Sequence, residues 1–207
     1  MPSPSLSILI PHYSTPSCDA ALNLCIQMFR ENTSCKNYEL IVVHGFSDPY
    51  VFWNEYADHA QSNNLVFFNN DMLPAPGWDE FMLKHVTDNT LVMGYLIEPG
   101  VISPAPQNIH RDFGRTPNSF RRREFEEFCR AHEVPEVTQE MGWYMPVMLT
   151  LPFFAKMGKY PTIPPFPHPN DIAFWNHCES RGAELRRVRS FAYHFQGLSN
   201  PVNDKNR

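Results

Sequence analysis

The sequence predicts an α/β domain: a central, mostly parallel mixed sheet with helices on both faces. Three observations carry that expectation. Short apolar runs alternate along the chain with segments whose apolar residues recur at helical spacing, the pattern of βαβ units. Hydrophobic residues are 43% and aromatics 14% of 207 residues, enough for one sizeable core, so a single domain over 1–207 is expected. The run Leu65-Val66-Phe67-Phe68 stops at Asn69-Asn70-Asp71, and Pro74, Pro76, Gly77 and Trp78 follow. This reads as a strand buried on both faces that delivers amides and a carboxylate to its C-terminal end, where open α/β sheets bind ligands.

The elements follow in order. Residues 6–10 form a buried strand stopped by Pro11, and 20–29 form a helix with Ala21, Leu24, Cys25 and Met28 on one face and Ser17 as N-cap. A second buried strand covers 38–43, a short helix 51–61 and the third strand 65–68. A helix is expected over 77–86 and a strand over 90–97. Residues 98–116 are an irregular Pro/Gly-rich loop, of the length that is more often functional than idle. A charged amphipathic helix over 119–132 is followed by a strand at 145–150 and a short helix at 152–157 with proline in its first turn. Another proline loop spans 161–169, a helix 170–181 ends at Gly182, and 185–193 is the last strand. No internal repeat is visible.

Composition excludes several classes. A net charge of −5 gives no electrostatic reason to expect nucleic acid. The basic run Arg121-Arg122-Arg123 is followed at once by Glu124, Glu126 and Glu127, which reads as a salt-bridged helix face. Five cysteines without CxxC spacing fit neither a zinc module nor a disulfide framework, so a reducing, cytoplasmic compartment is expected. The apolar run at the N-terminus is too short for a signal peptide, and no segment reaches membrane-spanning length.

Four segments, read together, resemble the family 2 glycosyltransferases and their GT-A fold. Ser7-Ile8-Leu9-Ile10-Pro11-His12-Tyr13-Ser14 is similar to the family's opening strand and Pro-x-Tyr-Asn turn. Tyr38-Glu39-Leu40-Ile41-Val42-Val43-His44-Gly45 is similar to its second strand, and Phe67 to Trp78 to its DxD strand and the Pro-Gly-Trp after it. Phe154 and Gly158, then Asn170-Asp171, then Tyr193-His194, stand where the family has an F-x-x-x-G, a Glu-Asp pair and a late histidine. The resemblance implies transfer of a sugar from a nucleotide diphosphate, expected to be UDP, to an acceptor hydroxyl of a carbohydrate. It implies a nucleotide-sugar-binding half (1–97) and an acceptor and catalytic half (98–207). The chain is short for the family, which fits one module of a larger multi-domain enzyme.

The implied roles fall on particular residues. Asp71 matches the last acid of the DxD motif and is the expected ligand of Mn²⁺ or Mg²⁺, with Asn69 in place of the first Asp and His194 as a further ligand. A turn aspartate ahead of a proline-rich loop is the other reading of Asp71. Pro11, Tyr13, His44, Asp48, Asn70 and Asp71 form the expected donor site, with Tyr13 offering a ring to the base. His44 replaces the family's aspartate after the second strand, and Asp48 is the nearest carboxylate to it. Asp171 matches the catalytic base of an inverting displacement, although helix-terminal charge alone also explains an aspartate there. Trp78, Trp143 and His168 are expected on the acceptor side. A retaining transferase on the same fold, or a nucleotide-sugar-binding module without catalysis, are the alternatives; Asn69, Asn170 and His44 are what make the second credible.

Overall fold

The computed structural model describes residues 3–45, 48–100, 108–138, 145–161 and 170–198. Among the described residues nine strands form one sheet: β1 (Leu6–His12), β2 (Tyr38–His44), β3 (Asn64–Phe67), β4 (Met72–Pro74), β5 (Thr90–Glu98), β6 (Ile109–His110), β7 (Val137–Thr138), β8 (Val147–Thr150) and β9 (Glu184–His194). The order is β2-β1-β3-β8-β5-β9-β4, with β6 beside β5 and β7 beside β9. β1, β2, β3, β5, β6 and β9 all run the same way, and β4, β7 and β8 run against them. The expected mixed, mostly parallel sheet is what forms.

That direction decides where chemistry sits. Parallel strands end on one rim, and here the rim collects His12, His44, Glu98, His110 and His194 as strand-terminal residues, with 69–71 following β3. A set of polar residues at one edge of an otherwise apolar sheet is costly to the core unless the residues pair or serve a ligand.

Among the described residues six α-helices cover the sheet: α1 (Pro16–Asn32), α2 (Pro49–Tyr56), α3 (Trp78–His85), α4 (Arg122–Ala131), α5 (Leu151–Lys156) and α6 (Asn170–Ser180). Successive side chains of a strand point to opposite faces. Phe68 accordingly meets Phe29 of α1 and Trp78 of α3, while Phe67 stacks on Trp53 of α2 and meets Phe154 of α5. Phe174 of α6 packs against Phe154 and Tyr160 on the α2 side. The core is therefore two aromatic layers on either side of β3.

Three local expectations are corrected. β1 does not stop at Pro11 but continues to His12, pairing with His44 of β2. Pro11 shares the parity of Leu9, whose carbonyl accepts from Phe68 N on the β3 side, and pairing with β3 ends at Leu9, so no ladder bond is lost to the missing N–H. The cap of α1 is Thr15, whose side chain accepts from Cys18 N at 3.2 Å, rather than Ser17. α2 starts at Pro49, ahead of the expected 51, because Asp48 caps it. Residues 101–107 and 162–169, most of the two proline-rich loops, lie outside the described residues, as do Trp143 and His168.

Candidate functional site at the C-terminal rim of the sheet

The short strand β4 is what builds the first cluster. β4 runs antiparallel to the end of β9, with Met72 opposite His194, and Phe195 N bonds the carbonyl of Asp71 at 3.1 Å. Asp71 is thereby pressed against His194: Nε2 of the imidazole lies 3.6 Å from Oδ2 of the carboxylate. The other ring nitrogen, Nδ1, is 2.6 Å from Oε1 of Glu98 at the tip of β5. Asn108 donates its amide to the second oxygen of Glu98 at 2.7 Å. Asp71 is fully buried and Glu98 nearly so, while the His194 side chain keeps 22% of its surface.

Electrostatics follow from this packing. Burial alone would lower the affinity of His194 for a proton, but the Asp71 carboxylate and Glu98 more than reverse it and push the pKa up to about 10. Burial pushes Glu98 up, yet the hydrogen bonds and charge of His194, with Asn108, hold it below the usual carboxylate range. Two carboxylates thus flank an imidazolium at neutral pH.

Among the described residues no group of three or more His, Cys, Asp or Glu side chains is arranged to hold a metal by itself. The Asp71–His194 pair nevertheless fits as part of a coordination sphere. Ligand atoms each about 2.0–2.2 Å from one ion lie at most about 4.4 Å apart, and these two are 3.6 Å apart. Glu98 on Nδ1 would orient a metal-bound histidine, whose Nε2 would give up its proton to coordinate, so that the ion would replace the imidazolium's charge beside Asp71. Asn69 holds the turn through its carbonyl, which accepts from Met72 N at 3.3 Å.

A second cluster lies at the tips of β1 and β2. His12 is fully buried; Nε2 is 2.7 Å from Asp19 Oδ1 and Nδ1 is 2.8 Å from Asn70 Nδ2. His44 packs edge-on against it, ring centroids 4.7 Å apart. Tyr13 is exposed just beyond, as a stacking ring would be. Asp48 is occupied differently: its carboxylate accepts from Tyr50 N at 2.9 Å and Val51 N at 3.4 Å as the cap of α2.

The third cluster surrounds Asp171 in the first turn of α6. Its Oδ1 accepts from Ile172 N at 2.8 Å, and the Tyr50 hydroxyl hydrogen-bonds the same carboxyl. Burial pushes the Asp171 pKa up, and these two donors only partly offset it. Tyr50 follows the end of β2, so Asp171 stands on the same rim of the sheet as Asp71, although the two have different neighbours.

One expectation is overturned here. Trp78 is not an acceptor platform: it is 1% exposed, its Nε1 donates to Thr33 Oγ1 at 3.1 Å, and it packs on Phe29 and Phe68 in the core. A cleft of about 630 Å³ that Trp78 borders, between the ends of α1, α3 and α4, is lined by none of the rim residues. Arg111 and Arg115, in the irregular stretch after β5, are engaged locally. Arg111 lies over the Phe128 ring at 4.7 Å and Arg115 pairs with Asp112 at 3.3 Å. Sequence reasoning missed Glu98, His12 and Tyr50. Glu98 had a readable signal, a carboxylate closing a long apolar run, the same logic that singled out Asp71.

No family model matches the chain, and no curated protein is similar to it in sequence. Among solved structures it is similar to the crystal structure of GalNAc-T7 with UDP, GalNAc and Mn²⁺, at a TM-score of 0.64 and 11% identity. The match covers 93% of this chain and 44% of that one, so this chain spans under half of the other protein's length. At this identity the likeness is one of fold: the chain is a single α/β domain of the GT-A type. No helix among the described residues is long and apolar enough to cross a membrane.

Proposed function

We propose that this GT-A domain is a metal-dependent glycosyltransferase that moves a sugar from a nucleotide diphosphate, UDP by preference, to a hydroxyl of a carbohydrate acceptor. The observation that carries the reading is the Asp71–His194–Glu98 cluster at the C-terminal rim: a carboxylate and an outer-carboxylate-oriented imidazole, 3.6 Å apart, on the edge where such sheets bind ligands. The GT-A neighbour, which holds UDP and Mn²⁺, supports the same class of donor and cofactor.

Asp71 and His194 would hold the ion, Mn²⁺ suiting an imidazole ligand better than Mg²⁺. When bound, the ion neutralises the charge that develops on the departing diphosphate. Tyr13 and His44 stand where the base would lie, and Asn70 beside Asp71 offers an amide to the nucleotide. Asp171 takes the proton of the acceptor hydroxyl as that oxygen bonds to the anomeric carbon; the electrons of the breaking carbon–oxygen bond leave with the nucleoside diphosphate. Burial raises the proton affinity of Asp171, which suits the general base of an inverting displacement.

The test is a panel of UDP-, GDP- and dTDP-sugars scored by thermal shift with and without Mn²⁺. A ligand that binds the native state alone raises its stability by mass action. One nucleotide is expected to stand out, and only with the metal. Equal, metal-independent shifts across the panel would contradict the proposal. NMR of the product anomer separates inversion from retention.

A further inference from the structure

His12 is fully buried, yet both ring nitrogens are engaged, one by a residue on a helix and the other by a residue on the loop after β3. Asp19 Oδ1, which meets Nε2 at 2.7 Å, also accepts from Ser14 Oγ at 2.9 Å. The hydrogen bonds from His12 and Ser14 hold Asp19 below the usual carboxylate range, so it remains a carboxylate. A carboxylate only accepts. Nε2 must therefore carry the hydrogen, and the contact from the Asn70 NH₂ makes Nδ1 the acceptor. Asn70 can answer an acceptor only with its NH₂, as the 2.8 Å contact from Nδ2 requires. The carbonyl oxygen of the same amide is thereby turned away from His12, and no group among the described residues donates to it.

We propose that Asp19 and His12 are positioning residues of the donor site: Asp19 fixes the tautomer of His12, and His12 fixes the amide of Asn70, a residue only 4% exposed, with its oxygen turned from His12 as an acceptor for a hydroxyl of the nucleotide beside Asp71. This rests on the nucleotide-sugar reading above. The chain runs over residues 58 positions apart and works without contact between Asp19 or His12 and the donor. Its consequence is a fixed polarity. An Asn70 free to flip would offer donor and acceptor equally and lose part of its discrimination.

Two measurements test it. A long-range ¹H–¹⁵N correlation spectrum of the wild-type protein at neutral pH reports the tautomer of His12, and the Nε2–H form is expected; the Nδ1–H form or an imidazolium would overturn the proposal. UDP affinity with Mn²⁺ is then measured by calorimetry for the wild type, Asp19→Ala and Asp19→Asn. Loss of one oriented hydrogen bond predicts about 3- to 10-fold weaker UDP for Asp19→Ala. Asp19→Asn keeps an acceptor oxygen and is expected to recover most of it, with melting temperatures of all three within a few degrees. Asp19→Ala binding UDP like wild type overturns the proposal, and so does a loss that Asp19→Asn does not rescue. Absence of nucleoside diphosphate binding in the wild type instead defeats the donor reading, which the tautomer measurement does not depend on.

Discussion

Asp71 sits fully buried with the His194 imidazole 3.6 Å away, whereas Asp171 opens α6 with the Ile172 N–H and the Tyr50 hydroxyl as neighbours. Both are aspartates on the same rim, and the difference lies in what faces them. Asp71 faces an imidazole that is charged at neutral pH, a positive charge that a metal ion would replace on displacing the Nε2 proton. Among the described residues Asp171 is hydrogen-bonded by neutral donors while burial raises its proton affinity, an arrangement suited to a proton. The two roles proposed for one residue type thus rest on neighbours that come from distant parts of the chain.

The largest expected effect breaks the first half of this contrast. Asp71→Ala leaves a buried imidazolium short of one partner, so about 3 kcal/mol of stability should be lost, seen in urea unfolding, together with all Mn²⁺-dependent nucleotide binding. A variant that unfolds like wild type would show that the pair carries little.

Asp171→Asn tests the second half. Transfer should fall by about 10²- to 10⁴-fold while nucleotide affinity stays as it was. Stability gives an independent readout. The folded-state pKa of Asp171 is raised, so the carboxyl stabilises the fold below its unfolded pKa and this contribution is lost as pH rises through the folded value. Above that folded value the wild type bears a desolvated charge that Asn removes. The variant should melt no lower than wild type at pH 7 and lose that relative advantage in acid.

Glu98→Gln sharpens the role of the outer carboxylate. The imidazole loses its charged anchor, and Mn²⁺ affinity should drop about 10- to 100-fold in a metal titration. Tyr50→Phe has the smallest effect. The Tyr50 hydroxyl favours ionised Asp171, so its removal should move the acid limb of the kcat profile to higher pH, with the plateau changed by less than about tenfold. An unmoved limb would separate Tyr50 from the base.

Long apolar strands and the polar residues that end them are local patterns, so β1, β2, β3, β5, β9 and the positions of Asp71, Asp171 and His194 were legible in the sequence. β4 was not: three residues, Met72-Leu73-Pro74, carry no periodicity, and only pairing with β9 makes them a strand. The contacts His12–Asn70 and Glu98–His194 join residues 58 and 96 positions apart, and sheet order, not local spacing, brings them together. Trp78 misled because a tryptophan after a Pro-Gly turn reads the same whether its ring fills a core or faces a sugar; its packing against Phe29 and Phe68 decides the matter.

The central claim is the division of labour between two rim carboxylates, and parallel calorimetry and turnover on Asp71→Ala and Asp171→Asn test it most directly. The expected result is a crossed one: Asp71→Ala loses Mn²⁺-dependent UDP binding, and Asp171→Asn binds UDP and Mn²⁺ like wild type but does not transfer. Asp71→Ala retaining the metal-dependent binding, or Asp171→Asn losing binding and turnover together, would contradict it.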